Sequence, residues 1–314
     1  MNEIILTGGG GLLGSHVLPL LQGRTVHALG RGGSATEQEG VVHHAFDLSG
    51  APDYSALPER ADAIVYLAQS RRFREFPEGA PDMFRVNAEQ VMNMCAYALR
   101  AGVKTFVYAS TGGVYGASDA PLREEDPVGP AGEMGFYPTS KLLGEAVLKE
   151  FGKLLNVVIL RPFFIYGAGQ ARTMLIPRLV DSVRNGTPIG LQGPDGMKIT
   201  PVHASDAANA VVAALELQGS HVVNVAGAEV MSFRQIGEAD PVTSVEDEAC
   251  GGIERFPIHV PAPGGSLAEQ GAPGGARLPH RPLKGTDRAR SAGQHQGTSC
   301  RIFPRRPRAE PVPN

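Results

Sequence analysis

A glycine-rich turn between an apolar run and an amphipathic stretch is the feature that most constrains the fold of this chain. Thr7-Gly8-Gly9-Gly10-Gly11-Leu12-Leu13-Gly14 follows the apolar run Glu3 to Leu6. In such a context Gly8 fits a tight turn, Gly11 lets the backbone approach a pyrophosphate, and Gly14 lets a helix pack closely on the strand. The helix N-terminus then presents free N–H groups and a positive dipole end to the phosphates. The turn therefore predicts a dinucleotide-binding site.

Short apolar runs alternate with longer amphipathic stretches, which is typical of βαβ units that feed a parallel sheet. Apolar residues recur at helical spacing between the runs, as at Leu13, Val17, Leu20 and Leu21. Because crossovers of this kind are right-handed, we expect an α/β fold with a Rossmann-type doubly wound parallel sheet and a ligand crevice at the carboxyl ends of its strands. The predicted strands are Glu3 to Leu6, Thr25 to Leu29, Ala63 to Leu67, Thr105 to Ala109 and Val157 to Leu160.

Composition divides the chain into three parts. Residues 1–165 are predicted to form the dinucleotide-binding domain, with some later segments returning to it, and residues 166–238 a small C-terminal substrate lobe. From about Ala239 onward Gly, Pro, Arg and Ala accumulate and apolar periodicity ends. Residues 239–314 are therefore predicted to be a disordered tail, either a flexible extension or the translation of a shifted reading frame.

Charge and cysteine content narrow the class of partner. The formal net charge of −3 gives no electrostatic reason to bind nucleic acid or an anionic membrane, so we expect a small-molecule substrate. The three cysteines fit neither a disulfide framework nor a metal knuckle, which favours a reducing cytoplasm and no metal site. The sequence shows neither a signal-peptide pattern at the N-terminus nor an apolar run that would span a bilayer.

The end of the second predicted strand bears on the choice of dinucleotide. In NAD-binding domains a carboxylate there hydrogen-bonds the ribose 2′-OH, whereas this chain has Leu29-Gly30-Arg31. A guanidinium at Arg31 would pair with a 2′-phosphate, so NADP is favoured and NAD is the alternative. Asp47, in Phe46-Asp47-Leu48 after the next strand, is placed either to meet the adenine or to cap a helix.

Tyr137-Pro138-Thr139-Ser140-Lys141 is a Tyr-x-x-x-Lys segment whose two ends share one face of a helix. A phenol is a poor base at neutral pH, but a neighbouring ammonium and an oxidised nicotinamide would favour its phenolate. Tyr137 is therefore predicted to be the catalytic acid/base and Lys141 its partner. Thr111 follows a buried strand, and its hydroxyl is predicted to bond the substrate oxygen whose proton Tyr137 exchanges.

These residues belong to a larger set of motifs. The set is TGGGGLLG, DL at Asp47, VYLAQ at Val65 to Gln69, VN at Asn87, STGGVYG, YPTSK, LRPFFIYG at Leu160 to Gly167, and PVHASD at Pro201 to Asp206. In combination they resemble the extended short-chain dehydrogenase/reductase superfamily, in particular the NAD(P)-dependent epimerase/dehydratase family that acts on nucleotide sugars. The resemblance covers Asn2 to Glu238.

The resemblance implies roles for further residues. Lys141 would also bond the nicotinamide ribose, Asn87 would organise the site, and Arg161 to Gly167 and the segment near His203 would border the substrate. A homodimer through a helix pair that includes the helix of Lys141 is expected on the same ground. The predicted cofactor-binding residues are Gly8, Gly11, Leu12, Leu13, Gly14, Arg31, Asp47, Leu48, Leu67, Ala68, Asn87, Tyr137, Lys141 and Pro162.

The chain also departs from the family's pattern. The family's dehydratases carry an acidic pair after the catalytic threonine, where this chain has Gly112-Gly113, so sugar dehydration is not expected. Cys95 lies at core spacing on a helix and is not expected to act as an acid/base. Phe164 and Ile199 stand at or near positions where an asparagine and an arginine contact the substrate diphosphate. After a second-lobe strand at Val222 to Val225, the helices that complete the family's substrate lobe are replaced by Gly/Pro-rich sequence.

Three functions fit these motifs. The first is epimerisation of a sugar or nucleotide sugar by transient oxidation at a carbinol carbon, in which Tyr137 takes the hydroxyl proton and hydride passes to the cofactor and back. The second is one-way reduction of a keto-sugar or other small ketone by NADPH, which agrees with Arg31. The third is a non-catalytic NAD(P)-binding sensor, although a sensor would not need Thr111, Tyr137 and Lys141 together.

Overall fold

The computed structural model describes residues 1–32, 38–118 and 120–238, together with the backbone of residues 299–302. The strands are β1 Glu3–Thr7, β2 Thr25–Gly30, β3 Val41–Ala45, β4 Ala63–Tyr66, β5 Thr105–Ala109, β6 Asn156–Pro162, β7 Ile165–Tyr166, β8 Ile189–Gln192, β9 Lys198–Ile199, β10 Val202–His203, β11 Ser220–Val225, β12 Met231–Ser232 and β13 Ser299–Ile302. The helices are α1 Leu12–Val17, α2 Ala80–Phe84, α3 Gln90–Ala101, α4 Phe136–Phe151, α5 Leu175–Arg184, α6 Ala204–Ala214 and α7 Phe233–Glu238.

Seven parallel strands form the central sheet in the order β11-β6-β5-β4-β1-β2-β3. Every residue of β4 and β5 is buried, because helices cover both faces of a doubly wound sheet. The predicted Rossmann-type sheet is confirmed, and β5 has the bounds that the sequence predicted. All seven carboxyl ends point to one edge, so residues that follow different strands converge there.

Alternate residues of the strands feed two separate cores, as the two-residue period of a strand requires. Ile5 of β1 packs in the layer that contains Met94 of α3 and Leu148 of α4. Ile4, its neighbour, packs in the opposite layer with Val211 of α6. The sheet is therefore clamped between α3 and α4 on one face and α1 and α6 on the other.

The helix after the glycine-rich turn is shorter than its apolar spacing predicts. The α-helical part ends at Val17, and a 3₁₀ helix continues over Leu18–Leu21. Pro19 lies in the first turn of that 3₁₀ helix. Because proline has no N–H to donate and its ring clashes with the preceding turn, the α-helical pattern stops before it.

The strand expected in the second lobe belongs to the central sheet instead. β11 pairs in parallel with β6 from Ser220 to Val225, so the predicted segment Val222 to Val225 forms the edge of the Rossmann sheet. The sequence could not distinguish the two placements, because a short β-branched run carries no information about its partner strand. The second lobe has its own small core, whose buried members are Tyr166, Ile176, Leu179, Ile199 and Ile236.

Four residues of the C-terminal tail are described. Ser299–Ile302 forms β13 and pairs antiparallel with β8. The segment alternates polar and apolar residues, a local pattern that the composition of the whole tail conceals. The other residues of 239–314 lie outside the described residues. Within the described part of the chain, no helix is long and apolar enough to cross a membrane.

A buried ion pair joins α4 to the sheet. The Arg161 guanidinium on β6 donates to Glu145 on α4 from Nε to Oε1 at 3.0 Å and from Nη2 to Oε2 at 2.6 Å. The Ser110 hydroxyl, at the end of β5, donates to Glu145 Oε1 at 2.5 Å. Burial is almost complete for both partners, so the Arg161 charge depends on Glu145 for compensation, while Glu145 also lies 3.5 Å from the Lys149 ammonium.

We expect Glu145→Gln to lower the free energy of unfolding by about 3–5 kcal/mol, because it leaves a buried guanidinium without its countercharge. Chemical denaturation measured by circular dichroism gives the value. Glu150→Gln, on an exposed position of the same helix, is the control and should change stability by less than about 0.5 kcal/mol. Equal effects of the two substitutions would contradict this account of the pair.

Candidate active site

The glycine-rich turn is shaped by contacts that leave no room for side chains. Gly8 has φ +74°, and its carbonyl accepts the N–H of Gly11 at 2.9 Å. A Cβ at Gly14 would overlap the carbonyl oxygen of Gly8, which explains the close approach of α1 to β1. Thr7 Oγ1 accepts the N–H of Ala68 at 3.1 Å and so fixes the turn to the chain after β4. This cradle is suited to the pyrophosphate of a dinucleotide.

Lys141 is buried at the carboxyl edge of the sheet, with 1% of its surface exposed. Its ammonium donates to the carbonyl of Ala109, the last residue of β5, at 2.8 Å and to that of Ala68, which follows β4, at 3.2 Å. It also lies 5.0 Å from the centroid of the Tyr108 ring. Burial among neutral acceptors lowers the pKa of Lys141 to about 7.

Tyr137 takes part in a directed chain of hydrogen bonds. Its hydroxyl donates to Gln69 Oε1 at 2.8 Å, and the hydroxyl of Thr111 lies near the same phenol. Thr111 Oγ1 in turn accepts the N–H of Gly113 at 3.1 Å. Burial raises the pKa of Tyr137 to about 12, and the hydrogen bond from Thr111 opposes that rise. The structure thus brings Thr111 and Tyr137 together, while the Lys141 ammonium is engaged by two carbonyls.

Asn87 lies on a π-helical turn, Arg85–Glu89, that joins α2 to α3. Such turns interrupt a helix and frequently mark functional sites. Its side-chain amide donates to Ser140 Oγ at 2.9 Å, and Ser140 donates to the carbonyl of Tyr137 at 2.7 Å. Its Oδ1 is buried and has no hydrogen-bond partner among the described residues. The unpaired Oδ1 of Asn87 lies beside the acid/base pair. Together with the glycine cradle, it fits a dinucleotide whose nicotinamide end carries hydrogen-bond donors.

The other predicted cofactor residues also follow strands of the sheet. Leu67 and Ala68 follow β4, and Pro162 ends β6. Arg31 is exposed directly after β2. Asp47 is exposed after β3, where its Oδ1 accepts the N–H of Ser49 at 3.0 Å and so caps a turn. The Leu48 side chain packs in the hydrophobic core, so only the backbone of this residue is left to contact a cofactor.

The segment that the resemblance places at the substrate begins with a structural residue. The side chain of Arg161 is buried in the pair with Glu145, so it does not border a substrate. Phe163 does lie in the site, since its ring stacks 6.1 Å from Tyr115 and packs against Gly112. A Cβ at Gly112 would come within 2.6 Å of that ring. The glycine after Thr111 is therefore required by the aromatic residue that faces it.

Two departures from the family's substrate contacts have clear structural consequences. Phe164 has φ +47°, a conformation that asparagine tolerates and that is strained for phenylalanine, and 41% of its surface is exposed. The backbone thus keeps the form that suits an asparagine while the side chain offers an apolar ring. Ile199 is buried in the core of the second lobe. His203 caps α6, since its Nδ1 accepts the N–H of Ser205 at 3.3 Å.

Two residues of the site were not singled out from the sequence, namely Gln69 and Phe73, whereas Phe163 lay within the segment that the resemblance placed at the substrate. Gln69 follows the same strand as Ala68, so the convergence of strand ends was a signal that pointed to it. Phe73 packs its ring 5.5 Å from that of Tyr137, but it stands on a loop without periodic pattern. The role of Phe163 depends on its contact with Gly112, which is distant in sequence. Within the described residues, no cluster of three or more His, Cys, Asp or Glu side chains is arranged to hold a metal ion.

We expect Gly14→Ala to destabilise the turn by about 1–3 kcal/mol, because the new Cβ forces the turn away from α1. Affinity for NAD⁺ or NADP⁺ should fall about tenfold or more, as measured by isothermal titration calorimetry. Gly10→Ala is the matched control, since a Cβ at Gly10 meets no atom within 4 Å. Undiminished affinity in Gly14→Ala would contradict the proposed cradle.

Comparisons with known proteins place this geometry in a family. Residues 4–226 match the family described as NAD dependent epimerase/dehydratase. A UDP-glucose 4-epimerase of Azospirillum brasilense is 32% identical over 264 residues, covering 74% of this chain and 75% of that protein. A dTDP-4-dehydro-6-deoxyglucose reductase of Escherichia coli is 26% identical over 273 residues, covering 76% of this chain and 80% of the relative.

Solved structures agree with the sequence relatives. The structure of MoeE5 in complex with UDP-glucose and NAD superimposes with a TM-score of 0.65 at 26% identity, covering 75% of this chain and 79% of that chain. The relatives include an epimerase and a reductase, so the alternative of a non-catalytic sensor has no support among them. The chain is an enzyme of the NAD-dependent epimerase/dehydratase family, a branch of the extended short-chain dehydrogenases/reductases.

Proposed function

We propose that this enzyme epimerises a hydroxyl-bearing carbon of a nucleotide sugar. The observation that carries the proposal is the placement of Thr111, Tyr137 and the buried ammonium of Lys141 together at the carboxyl edge of the sheet. A UDP-glucose 4-epimerase is among the relatives, and it is 32% identical.

Each of the three residues has a separate task in this reaction. Tyr137 Oη takes the proton of the substrate hydroxyl as the carbon is oxidised and returns it as the ketone is reduced on the opposite face. Thr111 keeps the substrate oxygen within reach of Tyr137, because its own hydroxyl lies beside the phenol. Lys141 holds α4, and therefore Tyr137, against the ends of β4 and β5. Proton transfer by a positioned group of this kind contributes about 10²–10⁴-fold to the rate.

The nicotinamide cofactor would lie along the carboxyl edge of the sheet. The glycine cradle would hold its pyrophosphate, and Lys141 and Asn87 its nicotinamide half. When bound, the cofactor supplies a positively charged ring that accepts a hydride from the carbinol carbon and gives it back. We propose NADP as the preferred form, since Arg31 stands exposed after β2 where NAD-specific domains carry an acid.

The walls of the site restrict the substrate and the chemistry. Gly112 and Phe163 together place an aromatic ring where the family's dehydratases have an acid, so elimination of water has no proton donor there. Phe164 offers an apolar ring in place of an amide. We therefore propose that the sugar is bound through its apolar face, and that its phosphates are held by residues other than those at positions 164 and 199.

Reduction of a keto-sugar by NADPH is the second candidate. Arg31 favours it, and so does the similarity to a dTDP-4-dehydro-6-deoxyglucose reductase.

Assembly as a homodimer and a cytoplasmic location stay predictions from the sequence. For the dimer, exposed apolar side chains on two adjacent helices are consistent with a buried helix pair, namely Met92 and Leu99 on α3 and Leu143 on α4.

We expect the purified protein to convert UDP-glucose into its C4 epimer with no net change in added cofactor, because each oxidation is followed by a reduction. Tyr137→Phe should lower this turnover by about 10²–10⁴-fold while cofactor affinity stays within about twofold. Product analysis by chromatography and calorimetric titration of the cofactor measure the two quantities. Tyr97→Phe removes a phenol remote from the site and serves as the control. Consumption of one NADPH per substrate would favour the reductase instead.

We expect Arg31→Ala to weaken NADP⁺ binding by about tenfold and NAD⁺ binding by less than about twofold, since a charge-assisted contact to the 2′-phosphate is lost only in NADP⁺. Fluorescence titration with both dinucleotides gives the ratio. Arg60→Ala, an exposed arginine elsewhere on the surface, controls for the change in net charge. If Arg31→Ala weakens NAD⁺ and NADP⁺ binding equally, the Arg31 guanidinium does not contact the 2′-phosphate.

A further inference from the structure

The Gln69 side chain accepts the hydrogen bond that is donated by Tyr137, the proposed acid/base residue. Its Oε1 accepts from the Tyr137 hydroxyl at 2.8 Å. Gln69 directly follows Ala68, whose carbonyl binds the Lys141 ammonium at 3.2 Å. The chain after β4 therefore touches both members of the Tyr-x-x-x-Lys segment, once through its backbone and once through a side chain.

The hydrogen bonds around Tyr137 run in one direction. Gly113 N–H donates to Thr111 Oγ1, which leaves the Thr111 hydroxyl free to donate to the phenol oxygen. The phenol proton in turn points at Gln69 Oε1. In this arrangement Thr111 stabilises the ionised form of Tyr137, whereas the Gln69 acceptor stabilises the neutral form. The two neighbours act on opposite protonation states.

A carboxamide can support both states, because it carries an acceptor oxygen and a donor nitrogen on one carbon. We propose that Gln69 is a positioning residue that sets the protonation balance of Tyr137, accepting from the phenol through Oε1 and donating to the phenolate through Nε2 after rotation of the amide. The inference rests on the proposed function, in which Tyr137 must lose and regain one proton in each turnover. A side chain that could only accept would bind the phenol and repel the phenolate.

Contacts hold the backbone before and after Gln69, through Ala68 on one side and Ser70 on the other. The Gln69 amide can therefore rotate without moving the backbone. Ser70 Oγ donates to Asp82 of α2 and accepts the N–H of Arg72 at 3.0 Å. Farther along, the Phe73 ring packs 5.5 Å from the ring of Tyr137. Arg74 then donates to the carbonyl of Thr173 at 3.3 Å and so links the segment to the second lobe.

Other titratable groups face Tyr137 from the elements packed around it. Tyr108 of β5 is buried and neutral, since burial raises its pKa well above the usual value. Lys141 lies one turn away on α4, and burial lowers its pKa to about 7. Arg74 lies 5.2 Å from the centroid of the Phe73 ring, on the segment after β4. None of these groups brings a negative charge to Tyr137, so a carboxylate placed at position 69 would be a new one.

Two substitutions of matched length separate polarity from shape. Gln69→Glu keeps the acceptor and adds a negative charge, whereas Gln69→Met neither accepts nor donates a strong hydrogen bond. We expect the pKa of Tyr137 to be higher in Gln69→Glu than in Gln69→Met by about one unit or more, a tenfold change in proton affinity. Gln22→Glu, an exposed position outside the site, controls for the added charge and should leave the pKa unchanged.

The readout is the Cζ resonance of Tyr137 in protein labelled with ¹³C at the tyrosine Cζ, titrated with pH and assigned by its disappearance in Tyr137→Phe. In turnover assays the Gln69→Glu enzyme should lose kcat with little change in KM and recover it as the pH rises. If Glu and Met at position 69 leave Tyr137 with the same pKa, or if Glu lowers it, the proposal is wrong. Because the resonance is observed without turnover, a protein that shows the pKa shift but epimerises nothing would refute the proposed function and leave this inference standing.

Discussion

The buried ammonium of Lys141 joins the carboxyl edge of the sheet to the helix that carries Tyr137. Its carbonyl partners, Ala68 and Ala109, lie at the carboxyl ends of two neighbouring strands, β4 and β5. A buried donor that loses a partner costs about 1–3 kcal/mol, so a shift of α4 away from these strands is opposed directly. One turn further along α4, Glu145 binds Arg161 of β6. The phenol is thus positioned by a helix that is fixed at two points rather than by a loop.

The elements that sequence reasoning predicted well are those whose local pattern dictates their environment. The buried run Thr105 to Ala109 became β5 with unchanged bounds, and the glycine-rich turn formed between β1 and α1. Val222 to Val225 was placed in the wrong lobe, because strand pairing is a long-range property. The contact between Gln69 and Tyr137 joins residues 68 positions apart, and nothing in either local sequence specifies it. The same holds for the packing of Phe163 on the glycine that follows Thr111.

The residues near Thr111 that depart from the family's pattern depend on one another. The Phe163 ring fills the space that a side chain after Thr111 would need, so the glycine and the phenylalanine have to occur together. Next to it, Phe164 keeps a left-handed backbone without the amide that would suit it. Relative to the pattern that the resemblance implies, both changes put aromatic rings in place of polar groups. In the proposed function these rings lie on the substrate side, separate from the residues that transfer the proton.

In the proposed function, Tyr137 serves a carbinol whose carbon-bound hydrogen leaves and returns within one site. The most direct measurement uses UDP-glucose carrying deuterium at C4, incubated with the protein and a trace of oxidised cofactor. We predict that the C4 epimer forms with the deuterium retained at C4 and none in the free dinucleotide. A product that has lost the label to the dinucleotide pool would contradict the claim, since the hydrogen would then have left the site.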